Sequence, residues 1–147
     1  MKELLLLSFL FAHVIFPNGT VIKAELALTP QQQTRGLMGR ESLKENEGML
    51  FVFPYQAIQT FWMKNMKFSI DIIWIDMSGM VIGIENSVPP CKKEPCEIYV
   101  SPGPVKYVLE VKAGKAKKEG LKVGDILQIK FVKEKGSLSH EKLNLKE

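Results

Sequence analysis

Ile70-Asp71-Ile72-Ile73-Trp74-Ile75-Asp76 is an apolar run with one acid inside it and a second at its end. Its β-branched and aromatic residues favour a strand over a helix. The turn Met77-Ser78-Gly79 then leads into a second apolar segment, residues 80–84. Upstream, residues 60–66 form a further candidate strand, joined to the first through Lys67. Met49-Leu50-Phe51-Val52-Phe53 has no polar break and reads as a strand covered on both faces, with Pro54 ending it.

The same grammar holds at both ends of the chain. Residues 14–16 and 21–28 flank Pro17-Asn18-Gly19-Thr20, and Asn-Gly between apolar runs is a strong hairpin signal. Residues 105–111 alternate, and residues 126–131 form a last strand behind Val123-Gly124-Asp125. Helical signals are few. Thr29-Pro30-Gln31-Gln32 has a cap, a first-turn proline and a capping box, while residues 115–119 offer one turn closed by Gly120. Between residues 87 and 104 lie five of the eight prolines and both cysteines, which reads as a long ordered loop. The expected class is α+β and mostly antiparallel β, a small rolled sheet or barrel with one or two short helices.

Composition agrees with one domain of 147 residues, 46% apolar and 24% charged, with mean hydropathy +0.00. That excludes a disordered tail protein. No apolar run approaches the ~18 residues of a membrane span. Residues 1–12 read as a signal peptide or N-terminal anchor: Lys2 opens them, residues 4–12 are apolar apart from Ser8, and Ala12 suits the position before a cut. A buried first strand over residues 5–16 is the alternative. Residues 13–131 form the domain, and 132–147 a charged tail. Cys91 and Cys96 close a six-residue loop and read as a disulfide, which suits an exported, extracytoplasmic protein. The only histidines, His13 and His140, lie near the two ends, so a four-ligand zinc site is not assembled. Asn18-Gly19-Thr20 is also a glycosylation sequon, a weak signal.

The sequence contains no phosphate loop, nucleophile elbow or metalloprotease helix, and no cofactor is implied. Lys112, Lys115, Lys117, Lys118 and Lys122 form the one basic cluster, which reads as a solvated face rather than a nucleic-acid or lipid site. Against 18 lysines the chain has two arginines, and both fall in Arg35-Gly36-Leu37-Met38-Gly39-Arg40. An arginine in a lysine-rich chain suggests a fork aimed at a carboxylate, and Asp71 is the acid most in need of a partner. That Arg–Asp group is either a ligand pocket or a buried ion pair fixing helix to sheet. Phe61-Trp62-Met63-Lys64-Asn65-Met66 could present an aromatic with polar neighbours to a sugar or peptide; Trp62 in the core is the plainer alternative. Met38, Met49, Met63, Met66, Met77 and Met80 are clustered, and soft thioethers could hold Cu(I), though core filling is their commoner use.

Taken in order, several strings resemble one known family. They are Glu25-Leu26-Ala27 before the Thr-Pro helix start, Arg35-Gly36-Leu37-Met38-x-Arg40, Gly48-Met49-Leu50-Phe51-Val52-Phe53, Phe61-Trp62-Met63-Lys64-Asn65, Asp71 to Asp76, Tyr107-Val108-Leu109-Glu110 and Gly120-x-x-x-Gly124-Asp125. The chain resembles domain-of-unknown-function family 192, a small prokaryotic domain often found behind a signal peptide, over residues 14–131. Met66 stands where that pattern has Thr, and Ser69 where it has Pro. The resemblance implies a compact β-rich α+β fold and supplies no activity. The first functional expectation is therefore an exported or membrane-tethered binding module for a small molecule, glycan or envelope partner, using Arg35, Arg40, Trp62, Lys64, Asn65 and Asp71. The membrane would be met only through an uncleaved N-terminal segment. An enzyme using Asp71 or Glu110 and a methionine-based copper carrier are the alternatives.

Overall fold

At the hairpin signal the chain folds back: β1 (Phe11–Ile15) pairs antiparallel with β2 (Val21–Ala27). Gly19 takes the positive φ, 91°, that the turn requires. These strands belong to a computed structural model that describes residues 9–133. Helix α1 (Pro30–Arg35) follows, with Thr29 accepting from the Gln32 amide and the Gln32 side chain returning to the Thr29 amide. The segment containing α1 carries the chain across to β3 (Glu47–Ala57), which lies parallel to β2. The remaining elements are β4 (Thr60–Phe61), β5 (Ile70–Ile75), β6 (Val81–Val88), β7 (Tyr99–Val100), β8 (Val105–Lys112), α2 (Lys115–Lys118) and β9 (Gln128–Val132).

Seven strands form one sheet in the order β6-β5-β8-β3-β2-β1-β9, antiparallel except for β2–β3, and β4 with β7 makes a separate two-stranded ribbon. The sheet is curled and not closed, so the architecture is a rolled sheet rather than a barrel. Both of its faces are covered. Ala24, Leu50, Val52, Ile73, Leu109 and Val111 lie in one apolar cluster, and Met49, Phe51, Ile72, Trp74 and Val108 in the other. Strand periodicity of two produces this division, since neighbours along a strand point to opposite faces.

Three expectations change. Pro54 does not end its strand: β3 runs to Ala57 through a register shift after Val52, and Pro54 is exposed, where a missing N–H costs little. Residues 60–66 are not one strand. Only Thr60 and Phe61 are extended, because Asn65 adopts a left-handed φ of 60° that turns the chain. The proline-rich loop contains β7, and its Cys91 and Cys96 lie at disulfide distance, with Cα atoms 5.5 Å apart. Ala12 is fully buried within β1 and paired with Ala24 and Phe131, so a cut after it would remove two residues of that strand. Residues 1–8 and the tail beyond Lys133 lie outside the described residues.

Candidate functional site

A cleft of about 390 Å³ opens between α1 with the segment after it, the start of β4, and the sheet face that carries Phe51. Gln33 fixes the helix there. Its amide nitrogen donates to the Ala27 carbonyl at 3.2 Å and to the Val52 carbonyl at 2.9 Å, tying α1 to the end of β2 and the middle of β3. Gly36 then brings the backbone close over Phe51, where an added Cβ would lie 3.3 Å from the ring. Phe51, Phe53, Phe61 and Trp62 give the cleft an aromatic lining, with Met38 and Met66 beside them. Phe51 and Phe61 meet edge to face with centroids 4.8 Å apart, and Phe61 meets Trp74 the same way at 5.6 Å.

Glu110 lies at the floor. On β8 it occupies the row between Met49 of β3 and Ile72 of β5, a position that the pleat gives to an apolar side chain. The residue is 5% exposed, and it lines the cleft. No hydrogen-bond donor or cation among the described residues partners its carboxyl. Burial pushes the Glu110 carboxyl up to about 8, so the group is predominantly protonated at neutral pH. Among the described residues that line the cleft, Arg35 and Glu110 alone carry ionisable side chains.

The six expected site residues are distributed differently from the sequence reading. Arg35 and Trp62 line the cleft, and Trp62 is 43% exposed. Lys64 sits beside Trp62, its ammonium 5.2 Å from the ring centroid, and is paired with Glu94 of the cysteine loop at 3.0 Å. Asn65 serves the turn, with its carbonyl accepting from the Gly39 amide at 3.0 Å. Arg40 makes a two-pronged bond to Glu25, 2.7 and 3.0 Å, and this bond holds the Glu25 carboxyl below its ordinary range.

Asp71 corrects the expectation most directly. The Arg–Asp group does not form, because Asp71 shares the sheet face of Ile73 and Val111, opposite the cleft. Its partners are backbone amides: Ser87 at 2.8 Å, Gly114 at 3.1 Å and Ala116 at 2.9 Å. The carboxylate thereby ties the end of β6 to the entry of α2. The lysine cluster is not simply a solvated face either. Lys115 is buried, with its ammonium on Glu45, Asn46 and Glu119, and Lys118 is paired with Glu45 at 2.8 Å. Glu119 also accepts from the Thr20 hydroxyl and the Asn18 amide, which with Lys115 hold its carboxyl down to about 2. The sequon nitrogen of Asn18 is thus engaged. The methionines fall in separate places: Met49 and Met63 in the apolar cluster, Met38 and Met66 in the cleft, and Met77 and Met80 exposed at the turn between β5 and β6.

The sequence pointed past the centre of the cleft. Glu110 is only an alternative acid in the sequence, because its alternation with Leu109 and Val111 reads as the solvated face of a strand; it is buried because the sheet is covered on both faces. Gln33 and Phe51, which hold and floor the cleft, carried no chemical signal.

Comparison with known proteins bears on the whole domain. The family model DUF192, described as an uncharacterized ACR, matches residues 13–129. No curated protein matches the chain. The chain is similar to a crystal structure from Sinorhizobium meliloti 1021, given provisionally as a transcription regulator: identity is 34%, with 81% of this chain and 92% of that one covered, at a TM-score of 0.72. It is also similar to a protein of unknown function from Novosphingobium aromaticivorans DSM 12444: identity is 32%, with 82% and 84% covered, at a TM-score of 0.73.

Proposed function

This chain belongs to the uncharacterised family DUF192, and from its own cleft we propose that it is a binding module for a small molecule. One observation carries the reading: Glu110 is buried, has no partner within the described residues, and borders an aromatic-walled cleft. Buried carboxyls are ordinarily paired or hydrogen-bonded. A protein that leaves one unpaired beside an open cleft keeps a polar group available for a ligand, in the arrangement usual for small-molecule sites. A regulator role such as the Sinorhizobium description suggests is less favoured, because Lys115 and Lys118 of the basic cluster are already bound to carboxylates.

Export to an extracytoplasmic or membrane-tethered location is part of the proposal. Its supports are the apolar segment ahead of β1 and the cysteine pair at disulfide distance. Intact mass of protein recovered from its native host tests this. A processed N-terminus, or an uncleaved one in the membrane fraction, with no free thiol is expected; an intact Met1 with two thiols in the cytosolic fraction defeats it.

The cleft reading is tested by NMR titration of the full chain with a library of small fragments. Shifts should converge on Phe51, Trp62 and Glu110, and Trp62→Ala should weaken the best fragment by about tenfold, the worth of ~1.4 kcal/mol. Fragments that perturb other surfaces and leave the cleft silent would refute it. An enzyme using Glu110 as acid is the second reading, favoured by a carboxyl that titrates near 8. Among the described residues the cleft holds no second carboxylate to act as its counterpart, so binding is preferred.

A further inference from the structure

Among the described residues the cleft offers no partner for Glu110, and that missing partner defines the ligand. Phe51, Phe53, Phe61 and Trp62 line the same cleft as Glu110. Aromatic faces attract cations through their quadrupoles, and a carboxyl behind such faces supplies the matching negative charge. A neutral apolar guest would gain from the walls but leave the carboxyl unsatisfied, at a cost. An anion would meet it with like charge once it ionised. The second ionisable group, Arg35, lines the same cleft at the end of α1 and makes no ion pair among the described residues. A guanidinium there suits a carboxylate, which it can hold in a two-pronged bond.

We propose that the cleft takes a small zwitterion of the amino-acid or betaine class, its ammonium on Glu110 and its carboxylate on Arg35. This rests on the reading of the cleft as a small-molecule site. Its volume, about 390 Å³, is at the lower end of the range of roughly 300–1,000 Å³ for such sites.

Binding is coupled to a proton. The charged groups that face Glu110 are few: Arg35 from α1, and along its own sheet row Glu25 beyond Met49 and Glu85 beyond Ile72. Arg40 occupies Glu25, and the Trp74 indole N–H donates to Glu85 at 3.0 Å. Lys106 and Lys112 on β8 itself make no ion pair with Glu110. An arriving ammonium is therefore the cation that ionises Glu110, and the displaced proton goes to solvent.

Calorimetric titration of the full chain with glycine betaine, choline and 3,3-dimethyl-1-butanol (the uncharged shape analogue of choline) tests this. Betaine and choline should bind with enthalpies that depend on the buffer, the signature of proton release. Their affinities should rise by about tenfold per pH unit between pH 6 and 7, as linkage to one released proton requires. Glu110→Gln should weaken both by at least tenfold, and Arg35→Gln should weaken betaine alone. Equal binding of the butanol, or an affinity flat in pH, overturns the zwitterion while leaving a small-molecule cleft. Binding of choline but not betaine overturns the Arg35 half. If the ammonium probes leave Phe51 and Trp62 silent while neutral fragments shift them, the inference falls alone. If no probe or fragment shifts them, the proposed function falls with it.

Discussion

Glu110 and Asp71 are two buried acids on adjacent strands with opposite duties. Asp71 accepts three backbone amides on one face of the sheet, and Glu110 meets no donor on the other. Asp71→Ala would orphan those amides at once. Unpaired buried donors cost about 1–3 kcal/mol each, so a loss of roughly 3 kcal/mol or more is expected by urea unfolding. A loss below 1 kcal/mol would mean that the β6 end and α2 do not depend on it. Glu110 works the other way. Its carboxyl titrates near 8 in the fold against 4.5 when unfolded, so the folded chain keeps a proton that the unfolded chain releases. Stability therefore falls as pH rises from about 4.5 to about 8 and levels beyond. Glu110→Gln should remove that slope, giving a higher melting midpoint at pH 8.5 with little change at pH 4.5. A variant no more stable than wild type at pH 8.5 would show that the carboxyl is solvated. Its burial is a stability cost borne at the floor of the cleft.

Around the cleft, short elements and loops set the geometry. The capping box at Thr29 was legible in the sequence because its partners are three residues apart, within reach of one helical turn. Thr29→Ala should cost about 1 kcal/mol, measured as a shift in denaturation midpoint, and an unchanged midpoint would leave α1 held by Gln33 alone. The segment after β4 was not legible as a turn. Its aromatic and apolar run Phe61-Trp62-Met63 suits a strand, and the turn closed by the Met66 amide on the Met63 carbonyl, with a left-handed backbone at Asn65, breaks it. That turn has a further dependence. Glu94, inside the cysteine loop, holds Lys64, which lies over Trp62 at the cleft. Reducing Cys91–Cys96 should shift the indole N–H resonance of Trp62 and leave that of the buried Trp74 in place. If neither moves, the loop does not position the cleft wall.

The domain is built on one seven-stranded curled sheet with an apolar cluster on each face, so the two faces are linked through the strands they share. Alternation in the sequence showed which residues point apart, and short turns showed that most neighbours run antiparallel. It did not show strand order, because pairings such as β3 with β8 join residues about sixty positions apart and leave no local trace. For the same reason Glu110 could not be matched with Phe51, Arg35 or Trp62 before the fold was known. Gly48 marks where that linkage is tightest. An added Cβ would lie 2.5 Å from the backbone oxygen of Glu110 and 3.2 to 3.3 Å from Ile22 and Val111. A backbone oxygen cannot rotate away as a side chain can, so Gly48→Ala must force β3 and β8 apart locally. Overpacking of this kind costs about 1–3 kcal/mol. The displaced backbone belongs to Glu110, so the disturbance should cross the sheet to the cleft floor. Carbon-13 titration of the Glu110 carboxyl in Gly48→Ala should move toward the ordinary glutamate range as water reaches it. If stability drops while that titration stays near 8, the two faces are independent and the cleft is positioned by α1 and β4 rather than by the sheet.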